Sequence, residues 1–73
     1  MVVTTRNSRY VITEVEDSTC VRLASNNPSY LGPFIGHVLQ TGPNLAFLIT
    51  EGEKAGRVII TSKTVSVDTE ATH

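Results

Sequence analysis

About a third of this chain is β-branched: nine valines, five isoleucines and ten threonines among 73 residues. Such side chains are stiff at χ1 and crowd a helix, but they pack well on the pleated surface of a sheet. Nowhere do apolar residues recur at i, i+3, i+4 and i+7 over three turns, the spacing an amphipathic helix needs. The one helical piece expected is a single turn around Ser29 to Leu31. The pattern predicts an all-β protein.

Strands are predicted at residues 9–16, 19–24, 34–40, 45–50, 57–61 and 65–67, the first two forming a hairpin. Glu16, Asp17 and Ser18 form its turn, because their acceptor side chains bond nearby amides. The longest irregular stretch, 25–33, contains Pro28 and Pro33, which remove backbone donors and bar a central strand. Thr41 to Asn44 makes a tight turn, residues 51–56 a charged one, and Ser62, Lys63 and Thr64 a bend or one-turn link. Residues 45–49 are apolar without alternation, which suggests a strand covered on both faces by the barrel wall or by a second subunit.

Five or six short strands with tight turns point to a small SH3-like barrel or a strongly bent antiparallel sheet. The expected core is Val11 or Ile12 with Val21, Leu23, Val38, Leu45, Phe47, Ile49, Ile60 and Val65. Residues 9–67 are read as the single barrel domain, 1–8 as a flexible N-terminal segment and 68–73 as a disordered tail.

A domain this small is near the lower limit of independent folding and often adds a disulfide, a metal or a partner subunit. Cys20 is the only cysteine, which excludes an internal disulfide. His37 and His73, the two histidines, stand near neither Cys20 nor each other at metal-ligand spacing, so no metal or cofactor is expected. Self-association remains, and a homodimer or larger ring is expected from the 45–49 run and an open edge strand.

Six Lys and Arg oppose seven Asp and Glu. A dedicated nucleic-acid binder usually shows a basic excess to neutralise phosphates, and this chain has none. No stretch approaches the ~20 apolar residues that span a bilayer. The polar start carries no signal-peptide apolar region, and a single free thiol suits a reducing compartment, so a cytoplasmic location is expected.

Gly36, Val38 two residues later, the turn at 41–44 and the apolar run 45–49 resemble the first signature of Sm-like small barrels. Residues 60–67 resemble the second. The resemblance covers about half the chain and implies a barrel of SH3-like shape. It departs where RNA contacts would lie: Gly42 replaces the acidic turn residue, Ala46 the base-contacting Asn, and Thr61 and Ser62 the Arg-Gly pair. The family's leading helix is also missing. The resemblance therefore implies the shape without the RNA binding. The stretch 61–67 is also similar to the ends of short phage-encoded proteins, which implies a phage or mobile-element setting.

Catalysis is not expected. A nucleophile needs a base within reach and a group to orient that base, and Cys20 and His37 fall on different predicted strands. Cys20 reads as a small boundary hydrophobe and His37 as a sheet-face residue. The leading expectation is a non-enzymatic protein-binding module that attaches to a host or cellular protein. Its contacts would come from Asn26, Asn27, Tyr30, Leu31 and Phe34, because long loops on small scaffolds tend to carry function and stiffened aromatics suit hot spots. The same apolar residues would alternatively plug one end of the barrel. A second reading is an RNA- or single-stranded-DNA-binding barrel using Arg9, Tyr10, Arg22, Arg57 and Lys63. A third, an oligomer that sequesters a small ligand between subunits, has no residue that nominates the ligand.

Overall fold

The computed structural model describes residues 1–69. Six strands follow one another: β1 (Val2–Thr5), β2 (Arg9–Glu14), β3 (Val21–Ser25), β4 (Phe34–Gln40), β5 (Asn44–Ile49) and β6 (Val58–Asp68). A 3₁₀ turn, Pro28–Tyr30, interrupts the β3–β4 connection where the single helical turn is predicted. Every strand pairs antiparallel with the next, and β6 returns to β1, so the sheet closes into a small barrel. Closure leaves no free edge among the described residues, which removes the edge-pairing route to an oligomer.

The N-terminal residues are not a flexible segment. Val2–Thr5 seals the barrel between β2 and β6, with Val3 fully buried and Thr5 nearly so. A compact turn holds it: the Thr5 amide donates to the Ser8 carbonyl at 2.8 Å, and the Ser8 amide donates to Thr5 Oγ1 at 3.2 Å. The reason lies in Val2, Val3, Thr4 and Thr5 themselves, a β-branched run with the strand preference of the rest. At the other end Asp68 pairs with Val2, so the expected tail does not begin there. Residues 70–73 of that expected tail lie outside the described residues.

β6 is also continuous where a break at Ser62, Lys63 and Thr64 is predicted. Its first half pairs with β5 and its second half with β1. Two bulges allow the change of partner. Thr61 and Ser62 together oppose Leu45, and Val65 is an extra residue between the pairs Thr4–Ser66 and Thr5–Thr64. Bulges bend a strand and raise its twist, which a closing sheet needs. The first bulge satisfies its own backbone: the Leu45 amide donates to Thr61 Oγ1 at 3.1 Å, and that hydroxyl donates to the Ser62 carbonyl at 2.8 Å. Flanking groups close the rest, with Arg6 N–H on the Lys63 carbonyl and Thr64 N–H on the Pro43 carbonyl. No buried side-chain nitrogen or oxygen among the described residues lacks a partner.

The core comprises Val3, Tyr10, Ile12, Leu23, Leu45, Phe47, Ile49 and Ile59, with Val21, Tyr30, Phe34 and Val38 packed against it. Ile12 is inside and Val11 outside. Ile60 and Val65, predicted inside, are exposed. Ile59 faces Phe47 across the ladder and takes the inward place, while Ile60 faces Ala46 and points out. Side chains alternate strictly along a strand, so a one-residue offset turns a residue to the other face.

Gly36 sits where β4 pairs with β3 through Val21 and with β5 through Ile49. A Cβ there would lie 1.8 Å from the Leu48 carbonyl oxygen. Only glycine lets the two backbones run this close.

Candidate functional site

The loop after β3 is tied down rather than displayed. Asn26 Oδ1 accepts from the Arg9 amide at 3.0 Å, and the Asn27 amide donates to Ser25 Oγ at 2.8 Å. Asn27 Oδ1 accepts from the Ser29 amide at 2.8 Å and caps the 3₁₀ turn, while its Nδ2 donates to the Tyr10 hydroxyl at 3.2 Å. Tyr30 and Phe34 pack half-buried on the core. Two of the three apolar residues of the plug arrangement, Tyr30 and Phe34, thus lie against the core. The third, Leu31, projects, 62% exposed.

A larger apolar surface covers the outer wall of β4, β5 and β6. Leu48 pairs with Val58, Ala46 pairs with Ile60, and Leu39 is the bulged residue of β4 beside them. Leu39, Val58 and Ile60 are exposed by 55%, 46% and 59%, while Ala46 is buried and Leu48 half-buried between them. Cross-strand neighbours on one face touch, so these five form a patch rather than scattered singles. Covering the open half of each of the three exposed side chains is worth about 1 kcal/mol apiece. The sequence carries the signal in two runs without alternation, 45–49 and 58–60. The inner residues of the first run face the core, and its outer residues lie within this patch.

The structure removes one residue of the nucleic-acid reading from the surface. Tyr10 is 1% exposed, in the core, and has no face to offer a base. Sharing a strand face with Ile12 rather than with Val11 puts it inside. Arg9, Arg22, Arg57 and Lys63 are exposed. Arg22 pairs with Thr13, four residues along β2 from Arg9, a separation of about 13 Å. Arg57 precedes β6, and Lys63 follows its first bulge.

Cys20 and His37, separate in the sequence reading, meet. Val21 pairs with Gly36, which sets the residue before β3 opposite the residue after Gly36. Cys20 Sγ lies 3.8 Å from His37 Nε2 and 3.6 Å from Thr50 Oγ1, on the outer face. The Thr50 hydroxyl also donates to the Ile35 carbonyl at 3.3 Å. Cys20 and His37 are both half-buried. The long β3–β4 connection hides this register from the sequence.

Comparison with family models, curated proteins and solved structures finds no match for the chain. Among the described residues no helix is long and apolar enough to cross a membrane. The functional reading therefore rests on the chain's own surface.

Proposed function

We propose that this chain is a non-enzymatic protein-binding module that docks a partner protein on the outer wall of β4, β5 and β6. The observation that carries the reading is the contiguous exposure of Leu39, Val58 and Ile60 around Ala46 and Leu48. A closed barrel has no fold requirement for apolar side chains on its outside, and contiguous exposed apolar surface marks interaction sites. Leu31 is a secondary contact, and Asn26 and Asn27 hold its loop in place. The setting belongs to the same proposal: a phage or mobile-element factor acting on a host protein in the cytoplasm, as the resemblance of residues 61–67 suggests.

The test is affinity capture of the tagged chain from a bacterial lysate, with and without nuclease, beside the variant Ile60→Lys. Ile60 is exposed, so its replacement should change folding stability by no more than about 0.5 kcal/mol. The expected result is one stoichiometric protein that survives nuclease and is lost with Ile60→Lys, since a central apolar contact is worth about 2 kcal/mol or more, roughly 30-fold. A yield that collapses on nuclease treatment would turn the reading toward nucleic acid.

A further inference from the structure

We infer that Cys20 and His37 form half of a zinc site, completed by the same two residues of a second copy. The inference rests on a different observation from the docking wall, whose margin it borders, since His37 pairs with Leu48. Its basis is the separation of the two donor atoms. Zinc sits about 2.3 Å from a thiolate sulfur and 2.0–2.1 Å from an imidazole nitrogen, so a tetrahedral pair of such ligands is about 3.6 Å apart. Cys20 Sγ and His37 Nε2 stand at 3.8 Å, within a few tenths of that spacing. The backbone register makes the two side chains neighbours, because the pair lies one position beyond the Val21–Gly36 pair of the ladder. Gly36 holds β4 tight against β5 on the other side.

The stoichiometry follows from counting ligands. A closed structural zinc site takes four, and Cys2His2 is one of the usual sets. Among the described residues no group of three or more His, Cys, Asp and Glu side chains could hold a metal ion within one chain. One chain thus offers a thiol and an imidazole on its half-open outer face, and a two-fold axis through the metal doubles them. Binding replaces the two thiol protons with one divalent ion: Zn²⁺ joins two thiolates and two neutral imidazoles, and two protons leave to solvent. The resulting centre is neutral, which suits a contact that excludes water. Thr50 Oγ1, 3.6 Å from the sulfur, is placed to turn its proton to the bound thiolate and orient it.

The experiment titrates the reduced full chain with cobalt(II), the coloured stand-in for zinc, while sedimentation reports mass. The expected result is the intense visible absorption of tetrahedral cobalt with sulfur ligands, saturating at one metal per two chains. Mass should double over the same range, and zinc should bleach the colour without reversing the doubling. Cys20→Ser should abolish both signals, and His37→Gln should weaken binding by more than ~10-fold, the loss known even for groups that merely support a ligand. Both variants lie on the outer face, so far-ultraviolet circular dichroism should match the parent. Absence of the band, saturation at one metal per chain with monomeric mass, or a Cys20→Ser variant that keeps the band would each overturn the inference.

Discussion

Replacing Gly36 by alanine adds one methyl group at the tightest backbone approach in the barrel. The new Cβ would stand 1.8 Å from the Leu48 carbonyl oxygen, 2.8 Å from its carbon and 3.0 Å from the Ile49 Cα, all main-chain atoms of β5. Real Cβ contacts essentially never fall below 3.0 Å, so β4 and β5 must part by about 1.2 Å at this point. Ladder hydrogen bonds of ordinary length would then exceed 4 Å, well beyond a bonding distance of about 3 Å. Two such bonds lost at about 1 kcal/mol each, together with an overpacking cost of about 1–3 kcal/mol, give about 3–5 kcal/mol. The usual per-residue range puts the whole domain at about 4–11 kcal/mol, so a large share of its stability would be gone. Urea denaturation followed by circular dichroism measures this directly. With a slope of about 1 kcal/mol/M, the midpoint should fall by ~3 M or more. Gly42→Ala is the control, because a Cβ there meets nothing within 4 Å and the backbone φ is not positive. A Gly36→Ala midpoint within ~0.5 M of the parent would refute the close approach of β4 and β5.

Two further changes probe how the barrel closes. Val3→Ala should cost about 2 kcal/mol in the same assay, because its fully buried side chain fills the core from β1; a neutral result would mean that the N-terminal strand does not seal the sheet. Thr61→Val keeps the shape but leaves the buried Leu45 amide without its acceptor, an expected loss of about 1–3 kcal/mol. If Thr61→Ser retains stability and Thr61→Val does not, the hydroxyl is the cause; equal stability of both would remove it from the account of the bulge.

Most of the architecture is legible in the sequence because strand chemistry is local. Leu23 falls on the inward side by simple alternation, Leu45, Phe47 and Ile49 by belonging to the most apolar run, and Pro28 and Pro33 confine the long loop. Failures occur where a local rule meets a tertiary one. Val58, Ile59 and Ile60 form an apolar run whose parity is undecided until β6 is registered against Phe47. Val65 belongs to a bulge, and a bulge is a property of two strands together. β1 is short, and its value as the closing strand depends on partners from both ends of the chain. The site follows the same division. The apolar outer wall is foreshadowed by the two runs without alternation. The Cys20–His37 contact is not, since it depends on a register set across the loop. Tyr30 and Phe34, attractive as displayed aromatics, go inward because a barrel with this few core residues needs them to close its end.

The docking wall is tested most directly by methyl-resolved nuclear magnetic resonance of the chain as the captured partner is added. Shifts or broadening are expected at Leu39, Leu48, Val58 and Ile60, with the inward methyls of Leu23, Leu45 and Ile59 unmoved. Changes confined to Leu31 and its loop, or an outer wall that does not respond, would contradict docking on this wall.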